Sequence, residues 1–128
     1  MIKDERLNDL FREYGVKLAY LFGSQRDNGV AYLMGQAVEI DRKSDLDIGV
    51  VFQDLPEKRF EVYGNLYANL SEIFGPFNTD LVFLQETDPL FQYEAIKGEL
   101  IYCEDEEFLD RYEEIVMKKA EDLSFKRI

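Results

Sequence analysis

The chain has 128 residues, 46% of them hydrophobic and 14% aromatic, which fits one folded domain with a substantial core and excludes a disordered chain. Its 27 acidic residues against 15 basic ones give a formal net charge of −12, which argues against binding nucleic acid, a task for clustered Lys and Arg. With no histidine and one cysteine, Cys103, it has no Ser–His or Cys–His nucleophile, no zinc cluster and no internal disulfide; Cys103 reads as a small buried hydrophobe.

The start, Met1-Ile2-Lys3-Asp4-Glu5-Arg6, is charged at once and unlike a signal peptide, and no apolar run reaches membrane-spanning length. A cytoplasmic protein without membrane contact is expected. Leu7, Leu10, Phe11 and Tyr14 stand at helical spacing, predicting a helix over 4–14 that Gly15 ends. Leu18-Ala19-Tyr20-Leu21-Phe22 reads as a strand running straight into Gly23-Ser24. A glycine and a small hydroxyl residue after a strand let backbone N–H groups approach a phosphate. In the interval 25–44, Ala31-Tyr32-Leu33 and Ala37-Val38-Glu39-Ile40 suggest the arms of a hairpin turning at Met34-Gly35-Gln36.

Ser44-Asp45-Leu46-Asp47-Ile48-Gly49-Val50-Val51-Phe52 is the next strand. Side chains alternate along a strand, so Asp45 and Asp47 share a face, where they repel each other unless a cation such as Mg²⁺ lies between them. Pro56 opens a helix with Phe60, Tyr63, Leu66, Tyr67, Leu70, Ile73 and Phe74 as its apolar stripe, stopped by Gly75-Pro76. That stripe reads as core packing in preference to a base-stacking platform. Asp80 opens the apolar run Leu81-Val82-Phe83-Leu84. A short helix runs from Asp88-Pro89 to Lys97, Gly98 ends it, and Leu100-Ile101-Tyr102-Cys103 reads as an edge strand. The last helix, about 105–124, starts acidic at Glu104-Asp105-Glu106-Glu107 and ends among Lys118, Lys119, Lys126 and Arg127, complementing its dipole. Phe108, Leu109, Tyr112, Ile115, Val116 and Leu123 form its apolar face. The alternation predicts an α/β or α+β fold, a mixed sheet against helices, as a single domain over 1–128.

Taken singly, each motif has an ordinary reading. Asp-x-Asp before a strand is common turn chemistry, Gly-Ser marks many turns, and Asp80 would cap the turn Gly75–Thr79. No P-loop or Rossmann glycine pattern is present. Taken together, FGS…SDLDIGVVF…TDLVFL resembles the minimal nucleotidyltransferases of the DNA polymerase β superfamily, over roughly residues 4 to 103. The resemblance implies a small mixed sheet backed by helices. It implies that Gly23 and Ser24 hold a nucleoside triphosphate, with Arg26 as a further nucleotide contact and Gly29 as the glycine that often follows it. It implies that Asp45, Asp47 and Asp80 ligate one or two Mg²⁺ ions, or that Asp80 activates the acceptor hydroxyl.

The reaction so implied is in-line attack of a hydroxyl on the α-phosphorus, expelling pyrophosphate. The spacing from Gly-Ser to Asp-x-Asp is about twice the family's usual value, hence an inserted segment about 25–44. Stand-alone minimal members resemble antitoxins of the MntA group, paired with HEPN-domain toxins, which implies AMP transfer from ATP onto a toxin tyrosine. Two other functions stay open: an aminoglycoside-like small-molecule nucleotidyltransferase acting as a homo-oligomer, and a non-catalytic antitoxin that neutralises by contact.

Overall fold

In the computed structural model of the chain, which describes residues 2–126, five helices and four strands follow in the order α1 (Glu5–Glu13), β1 (Val16–Phe22), α2 (Arg26–Leu33), β2 (Leu46–Phe52), α3 (Arg59–Ile73), β3 (Thr79–Phe83), α4 (Pro89–Ile96), β4 (Glu99–Cys103) and α5 (Glu106–Lys126), with a 3₁₀ turn at Leu84–Glu86. The strands form one mixed sheet in the order β3-β2-β1-β4. β1 runs antiparallel to both β2 and β4, whereas β2 and β3 are parallel. This is the α+β arrangement expected of a polymerase β-like fold.

The strands β1 and β2 read as near-continuous apolar runs because helices cover both faces of the sheet. On one face Leu21, Ile48, Val50 and Phe83 pack with Phe11 of α1 and Leu66 and Leu70 of α3. On the other, Leu18, Tyr20, Phe22 and Val51 pack with Leu84 and Ala95, and with Phe108, Leu109 and Tyr112 of α5. α1 begins where Asp4 Oδ1 accepts from the N–H groups of Arg6 (3.0 Å) and Leu7 (3.2 Å), and it ends at Gly15, whose φ is +74°. Two tyrosines fix α5. The Tyr20 hydroxyl donates to Glu113 Oε2 at 2.8 Å, and the Tyr112 hydroxyl donates to Gln92 Oε1 at 2.7 Å. Burial, then the Glu113 carboxylate, pushes the Tyr20 phenol up, so it stays a proton donor. No buried side-chain polar atom among the described residues lacks a partner.

Four expectations are corrected. Residues 26–33 are helical and no hairpin forms in 25–44, because Gly29 lets α2 lie against the end of the sheet: a Cβ there would stand 2.8 Å from Leu46 Cδ1 and 3.0 Å from Leu21 Cδ1. Val38 and Ile40 pack on the core from a loop, not from a strand. α3 starts at Arg59, and the apolar stripe is narrower than predicted: Phe60 is 84% exposed and Tyr67 42%, since the sheet meets only the side carrying Leu66 and Leu70. On α5, Ile115 of the predicted face is exposed, whereas Val116 is buried as predicted and Ala120 is buried in addition. Cys103 is only half-buried, at the margin of the second cluster, because β4 is an edge strand. Arg127 lies outside the described residues. No helix among those described is long and apolar enough to cross a membrane.

Candidate active site

Strand register gathers the motifs. Antiparallel pairing sets Phe22 beside Asp47, and parallel pairing sets Asp47 beside Asp80. The chain leaving β1 (Gly23-Ser24), the start of β2 and the start of β3 therefore meet at one end of the sheet. Leu46 and Ile48 on either side of Asp47 belong to the core beneath α1 and α3, so Asp47 projects from the opposite face. Its register partner Asp80 shares that face. Asp45 stands just ahead of β2, exposed, and Asp80 is exposed at the edge strand.

Contact and charge both tie these residues together. Gly23 adopts φ +80°, and a Cβ there would run into Asp47 Oδ2 and come within 3.2 Å of Cγ. Only a residue without a side chain leaves the Asp47 carboxylate its place against the turn. Burial, followed by the charges of Asp80 and Asp45, pushes the Asp47 carboxyl up to about 6. Asp80 also adds to the rise that burial imposes on the Tyr63 phenol, whose hydroxyl donates to the Leu81 carbonyl at 2.9 Å. Asp47 senses both other acids at one point of the sheet, with no cationic group among the causes of its shift.

On the other side of Asp47 lies the entrance to α2. Gln25 sits at its N-cap without a side-chain cap bond, and Ser24 is exposed beside it. The uncapped N–H groups of a first helical turn, with the positive end of the helix dipole, suit an anion. Arg26 begins α2; its Nε meets Asp27 Oδ1 at 3.2 Å and its Nη1 donates to the Lys97 carbonyl at 3.4 Å. Its side chain keeps 41% exposure.

The donor set suits a hard divalent cation, which takes carboxylate oxygens. Among the described residues no three acidic, His or Cys side chains already converge as ligands, so closing around an ion calls for a turn of the exposed Asp45 and Asp80 side chains. Two residues that hold this end of the sheet together went unrecognised in the sequence. Asn78 clamps β2 to β3: its carbonyl accepts from Leu46 N–H at 2.7 Å and its Nδ2 donates to the Arg42 carbonyl at 3.2 Å. Gly98 brings the turn after α4 against β1, where a Cβ would collide with the Leu21 carbonyl. An asparagine in a turn and a glycine after a helix are ordinary punctuation, and neither carries a further signal.

Comparison with known proteins gives one consistent picture. The family described as "Polymerase beta, Nucleotidyltransferase" matches residues 5–107. Among solved structures, a mutant of the toxin-antitoxin MntA-HpeT superposes with a TM-score of 0.68 at 18% identity, covering 93% of this chain and 87% of that one. A toxin-antitoxin with AMP-PNP gives 0.66 at 19% identity, covering 95% and 90%. A Shewanella oneidensis complex of tri-AMPylated HEPN toxin with MNT antitoxin gives 0.61 at 18% identity, covering 93% and 84%. These similarities show a shared fold, and no curated protein sequence matches the chain. With most of its length matched, the sheet and helices α1 to α4 included, this chain belongs to the polymerase beta nucleotidyltransferase family.

Proposed function

We propose that the protein is a Mg²⁺-dependent nucleotidyltransferase that moves AMP from ATP onto a tyrosine of a HEPN-type toxin in the cytoplasm, acting as its antitoxin. The observation that carries the reading is the register that sets Phe22, and with it the Gly23 turn, beside Asp47 and Asp47 beside Asp80 at one sheet end, with the Asp47 carboxyl raised by burial and then by its acidic neighbours. The solved relatives support the choice of acceptor: one is a complex of an AMPylated HEPN toxin with its antitoxin, another a toxin-antitoxin with AMP-PNP.

In this mechanism Gly23, Ser24 and the first-turn N–H groups of α2 hold the phosphates and orient the α-phosphorus. Asp45, Asp47 and Asp80 hold the metal, which when bound offsets the negative charge growing on the phosphate oxygens. The acceptor hydroxyl oxygen forms a bond to the α-phosphorus while the bond to the leaving pyrophosphate breaks. Asp80, exposed on the edge strand, takes the hydroxyl proton. Arg26, on the first turn of α2, exchanges its Lys97 contact for a phosphate oxygen when nucleotide is present.

The test combines purified protein, Mg²⁺ and α-labelled ATP with a co-expressed HEPN partner. Label is expected on the partner with the wild type, and the Asp45→Asn/Asp47→Asn variant should lose at least about 100-fold in rate, the scale of losing a principal electrostatic stabiliser. Label confined to small molecules would replace the acceptor assignment. Neutralisation of the toxin that survives in the double variant, without label, would make the protein a contact antitoxin.

A further inference from the structure

Phe91, near the start of α4, is 40% exposed although its ring meets that of Phe22 edge-to-face, with 5.7 Å between centroids at 87°. An exposed aromatic alone is unremarkable on a protein surface; its neighbours give this one meaning. Phe22 immediately precedes Gly23 and pairs with Asp47 across β1 and β2. The two rings therefore begin where the phosphate turn and the carboxylates meet, and lead away along the same sheet face. Ala95, one helical turn after Phe91, is fully buried in the cluster containing Phe22, so this side of α4 is the side turned to the sheet.

The fold also fixes the separation between α4 and the turn. Asp88 Oδ1 caps the Phe91 N–H at 2.8 Å at one end of the helix. At the other end Gly98 sits where a Cβ would stand 3.0 Å from Phe22 Cβ, and Arg26 of α2 reaches the Lys97 carbonyl. Phe91 is thus an apolar ring with an open surface, on a helix anchored against the residue that precedes Gly23. A nucleotide whose phosphates lie on the Gly23-Ser24 turn must place its base to one side of the metal-binding acids, and α4 walls the β1 side.

We propose that Phe91 is the stacking surface for the nucleobase, backed by Phe22. The assignment rests on the nucleotidyl-transfer reading above. A phenyl ring offers a face and no hydrogen bonds, and every base has a face to lay on it, so this contact supplies affinity with little choice between bases.

The test measures equilibrium binding by calorimetry, with the full chain and Mg²⁺, of ATP and of inorganic tripolyphosphate. Wild type is compared with Phe91→Ala, Phe91→Leu and Phe91→Trp. Stacking of one base corresponds to about 5- to 150-fold in affinity. Phe91→Ala should weaken ATP by that factor, Phe91→Trp should restore it, and tripolyphosphate should bind all variants alike. If thermal melting shows Phe91→Ala to be unfolded, Phe91→Leu carries the test, since it keeps an apolar contact on Phe22 without an aromatic face. Unchanged ATP affinity in Phe91→Ala or Phe91→Leu, with tripolyphosphate still bound, overturns the stacking role and leaves nucleotidyl transfer standing. Equal weakening of both ligands also overturns it, by showing that Phe91 only shapes the phosphate turn. Failure of the wild type to bind either ligand overturns both proposals.

Discussion

Burial, then Asp80 and Asp45, push the Asp47 carboxyl from 3.8 up to about 6, so between those two pH values it keeps a proton that an ordinary carboxyl would release. A folded value above the unfolded one means that the stabilising contribution is complete below about pH 3.8 and lost as the pH rises through about 6. Metal-free Asp47→Asn is therefore expected to be more stable than the wild type at pH 8. Discounted for solvent screening of a half-exposed site, the difference is on the order of 1 kcal/mol and shrinks below pH 6. Urea denaturation at the two pH values checks it, and equal stability at pH 8 would refute it. Added Mg²⁺ should stabilise the wild type more than the variant. Of this site, the sequence alone predicts Asp45 and Asp47 on one strand face, because alternation is local. β2 instead starts at Leu46 and leaves Asp45 in the loop just before it. That Phe22 and Asp80 flank Asp47 depends on register between distant strands, and no residue in the motifs encodes it.

Elements with one strong local signal were legible, and those shaped by close packing were not. α1 and α4 have aspartate caps and glycine stops, and their predicted spans lie within a residue or two of the observed ones. α2 was hidden because its sequence, RDNGVAYL, mixes Gly, Asn and Val, poor helix formers, and buries only one of its residues fully. Its glycine serves approach to Leu46 and Leu21, a tertiary demand that overrides propensity. In α3, the regular recurrence of aromatics suggested a wide buried stripe, but Phe60 lies in the first turn, beyond the sheet's reach. Gly98 is the strictest of these close approaches because the obstructing atom is the Leu21 carbonyl of a central strand, which has no room to yield. Gly98→Ala should destabilise the protein by about 2 kcal/mol, in the range of overpacking costs, and should loosen α4 from β1. Denaturant midpoints measure the first effect; faster amide exchange in α4 than in α1 measures the second. A neutral substitution would mean that the α4–β4 turn has slack.

Over the whole molecule, charge and topology decide different things. A net charge of −12 repels a bare triphosphate, and among the described residues seven basic side chains, Arg26 and Arg59 among them, are already engaged in ion pairs. In the proposed mechanism divalent metal would thus serve approach as well as reaction. The charge was plain in the sequence, but the strand order was not. β1 lies between β2 and β4, so its second partner arrives some eighty residues later, through the pairs Leu18↔Cys103 and Ala19↔Tyr102. During synthesis this creates an interval of exposure. Once β2 has emerged and paired, the far edge of β1 presents open amides beside Leu18, Ala19, Tyr20 and Leu21 until residues 99–103 leave the ribosome. A fragment comprising residues 1–98 should self-associate where the full chain at equal concentration does not, as seen by light scattering. A monomeric fragment would show that the edge is shielded by other means. Otherwise, the last-made strand acts as the chain's own safeguard, and a ribosome stalled just short of it would release a species that adheres to its own kind.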